Sequence, residues 1–153
     1  MIIEVDRLPV EGTRIKGEEP SAILELEGED GLSVKGPIRY DLRVQLVTGE
    51  LLVNGTLRLA VSLRCSRCAE PFQVELAEPS FNCISQVPEG AESVDLTADI
   101  REAMLLTFPA HPLCSRDCKG LCARCGGNRN RSECRCKPVS EFRWGALDKL
   151  KLN

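Results

Sequence analysis

Aromatic side chains are few in this chain of 153 residues: four Phe, one Tyr and one Trp. A core must therefore be built from Leu, Val and Ile, and there is little material for the stacking platforms that grip single-stranded nucleic acid. Histidine is scarcer still. His111 stands alone between Ala110 and Pro112, and with no second imidazole and no Ser or Cys placed beside it, a nucleophile–base pair cannot be assembled. Asp and Glu are scattered over strand faces and loops, where solvated charge is the default, so no catalytic site is read and no small-molecule substrate is expected. Apolar runs stop short of the ~20 residues that cross a bilayer. The opening stretch MIIEVDRLPVEGTRIKGEEP has acids among its first residues instead of a basic-then-apolar pattern, so it does not read as a secretory signal and the expected location is the cytoplasm, with no membrane partner.

Cysteine, in contrast, is concentrated. Six of the nine cysteines fall in CSRDCKGLCARCGGNRNRSECRC, residues 114–136. An odd number of thiols, a reducing compartment and a chain long enough to bury a core all argue against a disulfide framework and for metal. Charge is divided just as unevenly. Residues 1–110 hold 10 Lys and Arg against 19 Asp and Glu, whereas residues 111–153 hold 10 against 4. A basic segment on an acidic body suggests contact with a polyanion. A four-thiolate zinc site carries about −2, however, so part of the basic charge can be compensation for the metal.

The first part of the chain alternates with period two. Ile38, Tyr40, Leu42, Val44 and Leu46 are interleaved with Arg39, Asp41, Arg43 and Gln45, which describes a strand with one wet face. Beyond Thr48-Gly49 a second run places Leu57, Leu59, Val61 and Leu63 on one side, so the two are expected to form an antiparallel hairpin. Phe72, Val74 and Leu76 predict a third strand, and Ala22–Glu27 with Leu32–Val34 across Glu29-Asp30-Gly31 predicts another hairpin. One helix follows at about 95–107, where Leu96, Ile100, Ala103 and Met104 share a face, Asp95 or Thr97 can cap the start and Pro109 ends it. A short amphipathic helix is expected from Glu141 to Leu150. The fold class is therefore α+β: an antiparallel meander or small barrel-like sheet packed by one or two helices, with a cysteine-rich zinc-binding C-terminal segment. Residues 1–110 would form the body, and residues 111–153 the cysteine-rich tail and its helix.

Cys122-Ala-Arg-Cys125-Gly-Gly has the spacing of a zinc knuckle: two intervening residues let both sulfurs reach one ion, and the glycines permit the turn that aims amides at them. Cys134-Arg-Cys136, eight residues later, completes a set of four. Thiolates favour zinc over magnesium or calcium. Cys65-Ser-Arg-Cys68 lies at a turn between strands, and with Cys114 and Cys118 it can form a second four-thiolate site. Cys114 and Cys118 can also join Cys122 and Cys125, and spacing leaves the grouping open. A redox reading of Cys65 and Cys68 would need a helix N-terminus in a βαβ setting, but Glu70-Pro71 and a strand flank them. Cys83 reads as a buried small hydrophobe.

The order of these features, Cys65-Ser-Arg-Cys68, Asp95-Leu96, Glu102 with Leu105-Leu106 before Pro109, Pro112-Leu-Cys114, Cys118-Lys-Gly-Leu-Cys122, Cys125-Gly126, Asn128, Asn130 and the pair Cys134 and Cys136, resembles the bacterial YceD family. Its members are described as required for accumulation of large-subunit ribosomal RNA. The resemblance runs from about Gly36 onward and departs at Ala123, where the family often has Pro, and at Arg129, where it has an apolar residue. It implies a non-enzymatic role in ribosome biogenesis. Zinc would stiffen the segment that carries Arg116, Lys119, Arg124, Arg129, Arg131, Arg135 and Lys137, presenting these side chains to large-subunit ribosomal RNA, with Asn128 and Asn130 reading bases or sugars. The alternative is a zinc-stabilised module that binds a ribosomal protein or assembly factor through the acidic sheet face or the Trp144 helix, without touching RNA.

Overall fold

The computed structural model describes residues 1–26, 28 and 30–136. The C-terminal helix expected at 141–150, Trp144 and Lys137 lie outside the described residues. In chain order the elements are β1 (Ile2–Glu4), β2 (Thr13–Glu19), a 3-10 turn (Ser21–Leu24), β3 (Leu32–Val34), β4 (Ile38–Val47), β5 (Glu50–Arg64), β6 (Pro71–Gln86), β7 (Ser93–Asp95) and α1 (Thr97–Leu106).

β5 organises the sheet. One of its edges takes β4 along Glu50–Arg58 and β3 along Leu63–Val61; the other takes β6 along almost its full length. β2 pairs outside β4, all neighbours run antiparallel, and β1 pairs with β7 in a separate two-stranded ribbon. Among the described residues no pairing joins β2 to β6, so the sheet stays open and no barrel closes. The expected β4–β5 hairpin forms around Thr48-Gly49.

Alternation does what it predicted along these strands. Leu42, Val44, Leu51, Val53, Leu57 and Leu59 are fully buried, each contributing about 1.5–3 kcal/mol of apolar burial. They meet Ile100 and Met104 of α1, Leu96 before it, and Val94 of β7, so an aliphatic core replaces the missing aromatics. Asp95 accepts a hydrogen bond from the Thr97 N–H (2.9 Å), closing the start of α1.

The hairpin expected from Ala22–Glu27 and Leu32–Val34 does not form. Pro20 initiates a 3-10 turn, Leu24 drops into the core beneath α1, and Glu25 ends the turn in the left-handed region at φ 53°. The Leu/Glu alternation that suggested a strand thus reports one buried Leu and a Glu25 carboxylate held by Arg101 at 2.8 Å. β3 pairs with β5 instead.

A bulge lies at Gly55–Leu57, where the β5–β6 register shifts. Gly55 has φ 154° and a Cβ there would collide with the carbonyl oxygen of Asp41 and lie 2.8 Å from Leu42 Cα. Only glycine lets β5 approach β4 so closely. No helix among the described residues is long and apolar enough to cross a membrane.

Candidate metal centres

Two turns with the same hydrogen-bond pattern each deliver a pair of cysteines. In the β5–β6 turn, the Cys65 N–H donates to the Glu70 carbonyl (2.9 Å) and the Ala69 N–H donates to the Cys65 carbonyl (2.9 Å). In the tail, the Cys122 N–H donates to the Gly127 carbonyl (2.8 Å) and the Gly126 N–H to the Cys122 carbonyl (2.9 Å). The residue after the second cysteine is left-handed in both, Ala69 at φ 59° and Gly126 at φ 70°. The C-x-R-C spacing therefore encodes one local structure twice.

The segment after α1 closes the first group. The Ser66 N–H donates to the Pro112 carbonyl at 2.8 Å, and the chain then turns so that Cys114 and Cys118 face Cys68 and Cys65, with sulfur–sulfur distances of 3.8 Å in both cases. Cys65, Cys68 and Cys118 are buried, with Phe72 and Leu113 packed against them. The second group gathers Cys122, Cys125, Cys134 and Cys136, with Cys125 to Cys134 at 3.6 Å and Cys122 to Cys134 at 3.3 Å. Within each group all four sulfurs lie within 4.8 Å of one another. Zn–S bonds of about 2.3 Å in a tetrahedron require sulfurs about 3.8 Å apart, so both donor sets fit a tetrahedral thiophilic ion. Neither set fits disulfides, which need about 2.05 Å, and all nine cysteines are free. Of the two groupings left open by spacing, the structure brings together the one in which Cys65 and Cys68 meet Cys114 and Cys118.

The acidities within each group are unequal. The backbone N–H of Cys114, with those of Cys68 and Arg67, outweighs burial and brings the Cys65 thiol down to about 6. N–H groups of Cys125 and Arg124 do the same for Cys122, also to about 6. Their neighbours move the other way: burial and the Cys118 sulfur push Cys114 up to about 12, and the Cys134 and Cys125 sulfurs push Cys136 up to about 12. Each group thus holds a ready thiolate whose charge keeps an adjacent thiol protonated. A bound cation would offset the charge of all four thiolates in a group.

The two groups are not separate beads. The Leu121 N–H donates to the Arg67 carbonyl (3.0 Å), Leu121 and Asn128 form a β-bridge, and the Arg129 N–H donates to the Gly120 carbonyl (3.0 Å). Asn130, within the loop of the second group, reaches the first: its Nδ2 donates to Cys118 Sγ at 3.3 Å while its Oδ1 accepts from the Lys119 N–H at 2.8 Å. Asn128 Oδ1 accepts from the Asn130 N–H and side chain, both at 2.9 Å, and its Nδ2 donates to Glu70. Arg131 pairs with Glu70 at 2.8 Å. Asn128 and Asn130, expected to read bases or sugars, instead spend most of their amide hydrogen-bonding capacity on the scaffold between the two groups. Nothing in the spacing distinguished that role; the pattern Asn-x-Asn between cysteine pairs was the available signal.

Arg116, Lys119, Arg124, Arg129, Arg131 and Arg135 are all exposed. Among the described residues, Arg131 alone of these six has a carboxylate partner. Arg67 is spent on the scaffold, donating to the carbonyls of Cys118 (3.1 Å) and Arg116 (3.4 Å). Cys83 is buried between sheet and helix, where burial first and then Asp99 push its thiol up to about 11.

Residues 83–151 match the family model described as "Large ribosomal RNA subunit accumulation protein YceD". Relatives include an uncharacterized protein of Mycobacterium leprae, 29% identical over 137 residues, covering 72% of this chain and 62% of that protein. Two plant proteins named "Large ribosomal RNA subunit accumulation protein YCED homolog 1, chloroplastic" also match. The one from Zea mays is 27% identical over 150 residues, covering 71% of this chain and 51% of the relative. The one from Arabidopsis thaliana is 33% identical over 156 residues, covering 75% and 49%. The chain spans about half the length of these plant relatives. No solved structure matches it. Cys65 and Cys68 lie outside the segment matched by the family model, yet the fold brings them to Cys114 and Cys118 inside it.

Proposed function

We infer that this chain, whose residues 83–151 match the YceD family model, is a non-enzymatic factor in accumulation of large-subunit ribosomal RNA. In this reading Cys65, Cys68, Cys114 and Cys118 hold one zinc ion and Cys122, Cys125, Cys134 and Cys136 a second, and residues 111–153 act as the contacting tail on a body of residues 1–110. Zinc supplies a charge that stabilises four thiolates at once and a fixed tetrahedral geometry. The chain's own residues do the rest. N–H groups of the two turns orient the sulfurs, Asn130 ties the second loop to the first group, and Arg116, Lys119, Arg124, Arg129 and Arg135 project outward as a fixed cationic set. Pre-ordering these side chains lowers the entropy lost on binding, and phosphate contacts give affinity that falls with salt.

The observation that carries the reading is the pairing of two clustered four-thiol sets with exposed cations on the loops between their members. Binding to large-subunit RNA fragments over a salt series tests it. Replacing Arg124, Arg129 and Arg135 with Gln should flatten the slope of log K against log salt by about 0.7–0.9 for each phosphate that the chain no longer neutralises. Affinity and slope unchanged by the triple replacement would reject tail contact. Ribosomal partners that stay bound after nuclease treatment would point to a protein-only role.

A further inference from the structure

The face of the main sheet opposite α1 is covered by no other described element, and its charge runs against that of the body. By register it carries Arg14 and Lys16 on β2, Arg39 and Arg43 on β4, and Arg58 and Arg64 on β5. Six of the ten cations of residues 1–110 thus share one face, with only three of the nineteen carboxylates, Glu18, Asp41 and Glu75, set among them. Glu11 and Glu50 lie at its far margin. Segment-by-segment counting of charge hid this, because it averages the two faces of every strand.

The arrangement is costly for a fold alone. Arg14 stands directly opposite Arg43, and Arg39 opposite Arg58, and like charges at such positions are destabilising. Two carboxylates limit the repulsion by bridging cations: Asp41 takes Arg14 at 2.6 Å and Lys16 at 2.9 Å, and Glu75 takes Arg39 at 2.8 Å and Arg58 at 2.9 Å. These bridges also fix the guanidinium groups in place with N–H donors to spare. Arg43 and Arg64 have no carboxylate partner among the described residues. Arg43 borders a shallow cavity of about 520 Å³ lined also by Thr13, Arg14, Asp41, Asn54 and Thr56. A local rule broken without gain to the fold marks a surface kept for binding.

We propose that this open face is a second RNA-contacting surface, docking the phosphate backbone of double-stranded RNA. The neutral residues from Asn54 toward Arg64 are Asn54, Thr56, Ala60, Ser62, Gln73 and Ala77, and the large aliphatic side chains of this face, Val47, Leu52 and the exposed Ile84, gather at its Glu50 end. The cationic stretch itself lacks both the stacking platform that grips unpaired bases and the apolar anchor that dominates protein interfaces. It retains charge and hydrogen bonding, the means by which backbone is held and by which duplex RNA is recognised through its shape. Arg58 to Arg64 spans about 20 Å along the strand, and Arg64 immediately precedes Cys65, so the face leads into the first cysteine group and the tail. The proposal rests on the reading that the chain acts on RNA; it adds a surface and a class of ligand to it.

The test uses the full chain as purified with its metal and a random-sequence RNA duplex, with affinity followed over a salt series. Arg43→Gln with Arg64→Gln breaks no carboxylate pair among the described residues, and matching thermal unfolding checks that the fold is kept. The double variant should bind more weakly and with a slope shallower by about 1.8, two phosphates at about 0.9 each, whereas Arg43→Lys with Arg64→Lys should retain the wild-type slope. If the Gln variant matches wild type while Arg124→Gln with Arg129→Gln weakens binding, the sheet proposal falls and the tail reading stands. Weakening by the sheet variant alone would uphold the sheet face and remove the tail. Failure of the wild-type chain to bind duplex RNA would overturn the sheet proposal, and binding of large-subunit fragments then decides the tail separately. Displacement of the duplex by polyglutamate at equal charge concentration would assign the face to an acidic protein and overturn the proposal too.

Discussion

Replacing Asn130 with Ala separates a scaffold role from a spacer role. Asn130 lies between Cys125 and Cys134 in sequence, so a spacer would affect the second cysteine group alone. In the structure its Nδ2 donates to Cys118 Sγ at 3.3 Å and its Oδ1 fixes the Lys119 N–H at 2.8 Å. The Asn130 amide is the leading reason that the Cys118 thiol is more acidic than usual, so Asn130→Ala should make Cys118 a poorer ligand. Loss of a group that orients and supports a metal ligand typically lowers affinity about 10–100-fold. We expect that loss at the group of Cys65, Cys68, Cys114 and Cys118. The assay is competition with a graded chelator followed by thiol alkylation and mass spectrometry, which reports metal release cysteine by cysteine. The wild-type chain should expose Cys122, Cys125, Cys134 and Cys136 first, because Cys125 and Cys136 are exposed whereas Cys65, Cys68 and Cys118 are buried. In Asn130→Ala the first group should move toward, or ahead of, the second. Release confined to the second group, with the first unchanged, would refute the reasoning.

Three further perturbations address the framework. Ala69 is exposed at φ 59°, a conformation that costs an L-residue about 1–2 kcal/mol; Ala69→Gly should stabilise the chain by about 0.5–1 kcal/mol after the extra freedom of unfolded glycine is subtracted, and a loss of stability in urea melts would contradict it. Gly55→Ala drives a Cβ into the Asp41 carbonyl, where backbone has no rotamer to escape to; a loss of about 3 kcal/mol or more is expected, and a loss under about 1 kcal/mol would show that the two strands can separate. The Asp41 carboxyl is held down to about 2, first by hydrogen bonds from Arg14 and then Lys16. Its depressed value means that its contribution to stability is complete above the unfolded value of about 3.9 and is lost as pH falls through about 2; the carboxyl carbon resonance should titrate near 2, and near-normal titration in the wild-type chain would disprove the bridge.

Local chemistry was legible in the sequence and closure was not. The two C-x-R-C turns follow from spacing, because the turn geometry is contained within six residues, and β4 and β5 follow from alternation, because one face is buried along their length. β2 escaped notice since Thr13–Glu19 carries a single large aliphatic residue, Ile15, and is held in place by its pairing with β4. The partition of the cysteines depended on where the segment after α1 meets the β5–β6 turn, a meeting set by the Ser66–Pro112 hydrogen bond across 46 residues. Asn130 looked like a base reader for the same reason: its partner, Cys118, is brought to it by tertiary structure. The basic sheet face was invisible to a count of charge along the chain, since strand register alone decides which charges share a surface.

Metal content and thiol accessibility, measured together on the freshly purified chain, test the central claim most directly. Two zinc ions per chain, with the eight clustered cysteines shielded from alkylation until chelator is added and Cys83 released only on unfolding, are the predicted result. A metal-free chain whose clustered cysteines are found oxidised in pairs would contradict the account.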